Sequence, residues 1–344
     1  MAIQDQGDKK DNLHKVSWIL LFLVTLSLTL YYFFASPIHR QIDIFFSLVK
    51  GAKYIRLENG YHIWTRTIGN GPIPILVLHG GPGGDHEYLK VLARNIPLDK
   101  YRLVYYDQLG SYLSSRPNDP CLWNIPRFTD EVEEVRRALQ LDNFILYGHS
   151  WGALLVIEYA LKYPDRLKGA VISNTTASVA SYTQYIQYLR SQLPPTVQEQ
   201  MSFYEDRQDF SNPAYQEILV DDFYNRYICR LEPWPKVLVK TTNRMNPQVY
   251  LTIQGPNEFF VNGNMADWDR WADLPKIGVP TLVIGARYGT MNPLDIQKMG
   301  SLIPNGSSFI CPRGSHLAMY DDPQAYFGAL RLFLETKIDP AKKS

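Results

Sequence analysis

The pentapeptide Gly148-His149-Ser150-Trp151-Gly152 follows an apolar run at 144–147 directly and leads straight into a helical pattern at 153–163. A strand that becomes a helix within so few residues must turn sharply, and the two glycines leave room for a strained backbone between them. The serine is thereby lifted clear at the head of a helix. Ser150 is the expected nucleophile.

Apolar runs at 73–78, 102–106, 143–147 and 169–173 are continuous rather than alternating, which suits strands buried on both faces of a parallel sheet. Between the second and third, Asp130, Glu131, Glu133 and Glu134 precede Arg136 and Arg137. Acids at the start and bases at the end complement a helix dipole, so a connecting helix is predicted there. Upstream, 53–58 and 61–68 alternate apolar and polar residues around Asn59-Gly60, a strong hairpin signal. The strand–helix rhythm breaks after Ser173 and resumes only at 281–285, followed by a strand-like 307–311 and a last helix from 323 to 335. The interval is rich in Tyr, Trp and Gln, and Pro194, Pro195, Pro213, Pro233 and Pro235 divide it into short helices. The expected organisation is an α/β core at 53–174 and 275–344 with a helical cap inserted at 175–274. In the cap, Tyr224, Tyr227 and Trp234 either line a pocket or form the cap's own core.

A chain of 344 residues suits one core with one insertion. Its 35 basic and 34 acidic residues include no long run of one sign, so it has no electrostatic footprint for nucleic acid, and small-molecule or peptide substrates are expected. Cys121, Cys229 and Cys311 lie far apart without a CxxC spacing; neither a zinc site nor a disulfide framework is suggested, and no metal or organic cofactor is implied. Residues 16–35 carry no charge, and a helix of that length at about 1.5 Å per residue covers a bilayer core of roughly 30 Å. Trp18 sits near one end and Tyr31, Tyr32, Phe33 and Phe34 at the other, as interfacial aromatics do. A cleaved signal would be shorter and end in small residues, whereas Phe33 stands two before Ala35. A single-pass membrane anchor is therefore expected, with a tail at 1–15 and a linker at 36–52. Lys9, Lys10 and Lys15 precede it more closely than Arg40, Lys50 and Lys53 follow it, which favours a cytosolic N-terminus and a folded domain on the non-cytosolic side. Nothing in the sequence specifies an oligomeric state.

His79-Gly80-Gly81-Pro82-Gly83-Gly84 follows the run at 73–78. Glycines there let the main chain approach a substrate and present N–H groups to developing negative charge, completed by the N–H of the residue after the nucleophile. Gly81 and Trp151 are the expected donors. The phosphate-cradling pattern G-x-x-x-x-G-K-[ST] is absent, and His79 and His149 read as supports of the loops. Of seven histidines only His316 follows Ser150. It lies a short turn beyond 307–311, where a loop containing Gly314 can deliver an imidazole to the serine.

HGGPG at 79–83, Asp107-Gln108-Leu109-Gly110-Ser111, GHSWG at 148–152, Gly255-Pro256-Asn257-Glu258-Phe259 and Gly314-Ser315-His316 together resemble the signature set of the proline iminopeptidases. These are serine aminopeptidases of the α/β-hydrolase fold that include the tricorn-interacting aminopeptidase. The resemblance covers the chain from about Lys53 onward. It implies removal of an N-terminal proline or other residue from small peptides, or hydrolysis of amino-acid amides, with Glu258 in the cap receiving the substrate ammonium. The chain departs from the family in one segment, Gly285-Ala286-Arg287-Tyr288-Gly289-Thr290-Met291. The family places its catalytic aspartate where Gly289 stands, and often a second amine-binding glutamate where Thr290 stands. Asp295 is the nearest downstream carboxylate, and Asn174 ends the strand before the cap, where other hydrolases sometimes keep their acid. Two further readings stay open: a non-catalytic relative that binds peptides or amines, and an esterase of the same fold.

Overall fold

The computed structural model describes residues 49–339. The expected anchor at 16–35 lies outside them, and among the described residues no helix is long and apolar enough to cross a membrane. The chain divides into Met1–Lys53 and Tyr54–Ser344, and the fold is that of the second unit.

Eight strands form one sheet: β1 (Ala52–Arg56), β2 (His62–Ile68), β3 (Ile73–Leu78), β4 (Tyr101–Tyr106), β5 (Phe144–His149), β6 (Leu167–Ser173), β7 (Thr281–Ala286) and β8 (Gly306–Cys311). Their order is β1-β2-β4-β3-β5-β6-β7-β8. β2 runs antiparallel to β4, and every pairing from β4 through β3 to β8 is parallel. The first two strands are joined at the expected turn, where Gly60 takes φ 89° and donates its N–H to Leu57 O at 2.9 Å.

The parallel strands are apolar throughout because both faces are sealed. Leu76 and Leu78 join Val104, Leu146 and Val283 in one core, whereas Ile75 and Val77 join Leu103, Ile145 and Leu282 in the other. This is the two-residue alternation of a strand feeding two cores at once. The order also places β4 and β5 on opposite sides of β3. The winding therefore reverses at β3, and the crevice beyond the carboxyl ends of β3 and β5 is the topological switch point where such sheets bind ligands. The Gly-rich loop leaves β3 there, and Ser150 leaves β5.

Helix α1 (Ile125–Ala138) begins earlier than the charge pattern predicts and has no acid in its first turn. Its start is set instead by Asn124, whose side chain accepts the Arg127 N–H at 3.0 Å, with Pro126 in the first turn. The acids answer arginines: Glu133 pairs with Arg136 at 2.8 Å and Glu131 with Arg127. α2 (Trp151–Lys162) follows Ser150 and is buried along most of its length. Between β6 and β7 lie α3 (Val179–Ser191), α4 (Pro195–Glu205), α5 (Pro213–Ile218), α6 (Lys236–Arg244) and α7 (Pro247–Ile253). Prolines stand in the first turns of α4, α5 and α7, so they start helices as well as separate them. α8 (Pro293–Leu302) lies between β7 and β8; after β8 come a one-turn helix, Ala318–Asp321, and α9 (Pro323–Phe333), which runs on into a π-helical turn, Leu334–Ile338.

Candidate active site

Ser150 sits at φ 56°, ψ −125°, a region that non-glycine residues rarely occupy. Such a conformation costs about 1–3 kcal/mol and persists only where the surroundings enforce it. Here they do. A Cβ on Gly152 would lie 2.4 Å from Leu78 O, and one on Gly148 would lie 2.2 Å from Gly152 O. The turn is thus packed backbone to backbone, and the Ser150 N–H donates to Ser173 O on β6 at 2.9 Å.

A chain of hydrogen bonds ties this turn to two neighbouring loops. The Gly80 N–H donates to Tyr88 Oη at 2.8 Å, and the Tyr88 hydroxyl lies 2.9 Å from His149 Nδ1. His149 Nε2 meets the main-chain carbonyl of His316 at 2.9 Å. A carbonyl can only accept, so Nε2 carries the proton and Nδ1 accepts from Tyr88. Both ring nitrogens are committed, and burial lowers the His149 pKa to about 4; this histidine is a neutral strut. His79 is a second one: Nδ1 lies 2.8 Å from Gly80 O, and Nε2 accepts the Gln108 N–H at 3.0 Å. Gln108 also donates to His79 O at 2.8 Å and accepts the Trp151 indole N–H at 2.9 Å. Asp107 accepts the His86 N–H at 2.9 Å and lies 2.8 Å from its Nδ1. Sequence reasoning assigned no role to Tyr88, Asp107 or Gln108; the motif around Asp107 was the one available signal.

Ser150, Gly81, Trp151 and Glu258 line one cavity, walled on its apolar side by Leu154, Val179, Met265 and Met291. Glu258 is held there by the Tyr250 hydroxyl at 3.0 Å and by the Tyr182 hydroxyl. Desolvation raises its carboxyl above the usual glutamate range, with the two tyrosine bonds opposing that shift. The flanking motif residues anchor the turn: Asn257 donates to Tyr215 Oη at 3.0 Å, and Phe259 packs on Phe223 at 4.6 Å. Tyr224, Tyr227 and Trp234 do not line this cavity; all three pack partly buried against the two cores. A roomier depression on the α4–α5 surface, between Tyr204 and Asp221, holds neither a nucleophile nor a histidine.

His316 is buried beside the turn, its ring 4.9 Å from that of His149. Its N–H donates to Tyr227 O at 2.9 Å. Burial, reinforced by His149, lowers its pKa well below the ordinary histidine value. Its one side-chain hydrogen bond among the described residues is to Thr290, with Nδ1 3.0 Å from Oγ1. Ser150 Oγ is not hydrogen-bonded to Nε2. The loop that carries Thr290 is lashed to the loop that carries His316: the Arg287 N–H donates to Cys311 O and the Tyr288 N–H to Gly314 O, both at 3.0 Å. Gly289 is buried next to them, and a Cβ there would meet His316 N at 3.4 Å and Ser315 C at 3.5 Å, ordinary contacts. Asp295 lies in the first turn of α8, its carboxyl pushed up by desolvation. Asn174 is fully buried at φ 46°, with its Oδ1 unpartnered among the described residues. Neither bonds to His316.

A model of the α/β-hydrolase fold matches residues 73–323. The chain is 40% identical over 278 residues to the proline iminopeptidase of Flavobacterium johnsoniae, spanning 80% of this chain and 94% of that protein. It is 41% identical over 280 residues to the proline iminopeptidase of Elizabethkingia meningoseptica, with the same coverage of 80% and 94%. The crystal structure of proline iminopeptidase from Mycobacterium smegmatis superposes with a TM-score of 0.77 at 28% identity, over 83% of this chain and 98% of that one.

Proposed function

The chain belongs to the proline iminopeptidases of the α/β-hydrolase family and is a hydrolase of aminopeptidase type, and from this we propose that it removes an N-terminal proline or other residue from short peptides and amino-acid amides through an acyl-enzyme. The observation that carries the proposal is that Ser150 and Glu258 line the same cavity. An exopeptidase must recognise a free chain end as well as cut a bond. A desolvated carboxylate facing the nucleophile supplies the first function, because a charge-assisted bond to an ammonium is strong where water is excluded.

In this reading Ser150 Oγ attacks the scissile carbonyl and His316 Nε2 takes its proton. The N–H groups of Gly81 and Trp151 stabilise the oxyanion. As the C–N bond breaks, the same proton passes from Nε2 to the leaving amine; water then repeats the sequence on the ester. With Gly289 at the acid position no carboxylate stabilises the imidazolium, so turnover is set below that of a full triad. Two features support a membrane tether at 16–35: an uncharged stretch of bilayer length and its aromatic ends. The folded domain then faces away from the cytosol.

The test is turnover of an aminoacyl fluorogenic amide compared with its N-acetylated form and with a simple ester. Preference for the free amine, lost in Ser150→Ala, is expected. Equal cleavage of all three would identify an esterase, and cleavage of none a binding protein.

A further inference from the structure

We propose that the Thr290 hydroxyl positions His316, accepting its Nδ1–H and so holding the imidazole in the tautomer that leaves Nε2 free for the Ser150 proton. The inference rests on the reading of Ser150 and His316 given above and adds to it the group that replaces the missing acid.

Thr290 is fully buried, and its Oγ1 lies 3.0 Å from His316 Nδ1. Two backbone bonds at 3.0 Å hold its loop against the loop of His316. Its β-branched side chain has few rotamers to choose from, so the hydroxyl is presented in a defined place. Other groups surround the imidazole and the main chain that carries it, from several elements. His149 at the end of β5 brings its neutral ring to 4.9 Å, with the Tyr88 hydroxyl engaged on that ring's far nitrogen. The cap contributes the Tyr227 carbonyl, which accepts the main-chain N–H of His316 and no ring N–H. Asp321, at the end of the one-turn helix Ala318–Asp321, accepts the Ser315 N–H at 3.0 Å and the Ser315 hydroxyl. Among the described residues no carboxylate hydrogen-bonds to the ring itself.

A hydroxyl in this position does part of what an aspartate does. Unlike a carboxylate it can donate as well as accept, so it holds the tautomer only in the arrangement proposed, with the Nδ1–H donating to Oγ1; in that arrangement it supplies the tautomer control that is lost when a triad acid becomes an amide. It offers a dipole rather than a charge to the imidazolium, so His316 remains a weak base, in keeping with its lowered pKa. Two consequences follow for this chain. Removing the hydroxyl frees the ring to adopt the tautomer with Nε2 protonated, which cannot accept from Ser150. Adding a carboxylate at 289, where a Cβ has room, makes the hydroxyl redundant.

The experiment measures kcat and KM across pH for the full-length protein, for Ser150→Ala, Thr290→Val and Thr290→Ser, and for each Thr290 variant combined with Gly289→Asp. Thr290→Val should lower kcat at least about tenfold with KM within about twofold, and Thr290→Ser should restore most of the loss. In the Gly289→Asp background Thr290→Val should change kcat by less than about twofold, since the two changes act on one interaction. An unchanged kcat in Thr290→Val, or the same loss with and without the aspartate, overturns the role. Activity that survives Ser150→Ala overturns the underlying reading instead, and is seen separately. Imidazole 15N shifts of the folded parent give a check independent of any variant: a protonated Nδ1 and bare Nε2 are expected for His316, and the reverse tautomer overturns the proposal.

Discussion

The chemistry of this site turns on three side-chain positions whose neighbours differ. Gly289 has no side chain at the position expected for the acid; a Cβ there would lie 3.4 Å from the main-chain N of His316, and neither its contacts nor its φ forbids one. Gly289→Asp should therefore raise the rate on an aminoacyl amide, by up to about 10⁴-fold on the scale lost when triad acids are removed, and Ser150→Ala should cancel the gain. The pH profile checks the cause. With His316 held well below its ordinary value, the acid limb of kcat/KM in the parent should lie below about pH 6.5. An aspartate stabilises the imidazolium and should move that limb upward. Glu258 titrates in the opposite sense. Its raised carboxyl takes up a proton at higher pH than an exposed glutamate, so KM for free-amine substrates should rise as pH falls through that value, while N-acetylated substrates stay level. Glu258→Gln should raise KM for the free amine about 10- to 100-fold, the worth of a charge-assisted bond. A matching loss on blocked substrates would remove the amine-binding role.

At the scale of elements, the site is a junction of three loops leaving β3, β5 and β8, held in register by Tyr88 and His149. Tyr88→Phe deletes one hydroxyl and strands two buried partners, the Gly80 N–H and His149 Nδ1. Each unsatisfied group costs about 1–3 kcal/mol, so a lower urea midpoint is expected. Because Gly80 precedes the expected oxyanion donor Gly81, kcat should fall more than KM changes. A Tyr88→Phe protein with the parent's midpoint and turnover would show that the chain of bonds is dispensable. Asn124 at the start of α1 offers a contrast. Asn124→Ala should cost about 1 kcal/mol through the lost cap yet leave kinetics untouched, since α1 carries no group that lines the cavity.

For the whole molecule, the eight-stranded sheet explains where the site must be and the N-terminal segment bears on where the protein works. If residues 16–35 stay in the mature chain and span a bilayer, the protein should resist carbonate extraction and yield to detergent, and its N-terminal sequence should begin before residue 16. A mature N-terminus near Ser36, or release by carbonate alone, would exclude the anchor. Asn174-Thr175-Thr176 and Asn305-Gly306-Ser307 match the N-x-[ST] acceptor pattern; Asn174 is buried and Asn305 exposed, so only Asn305 should carry a glycan if the domain is exported.

The legible part of the fold follows from rules that act over a few residues. A parallel strand sealed on both sides must be apolar throughout, so β3 to β7 stood out as runs. The turn at Ser150 needs glycines at close backbone contacts, so 148–152 announced itself. A turn that needs φ > 0 takes Asn-Gly, so the hairpin between β1 and β2 was legible. The start of α1 was misread because acids that pair with nearby arginines look, in one dimension, like acids placed for a dipole. The rest depended on partners distant in the chain. Tyr88 meets His149 across 61 residues and Thr290 meets His316 across 26. No periodicity links such pairs, because the strand order chooses which loops become neighbours. Tertiary structure alone thus decided that a threonine hydroxyl, and not a carboxylate, stands at His316.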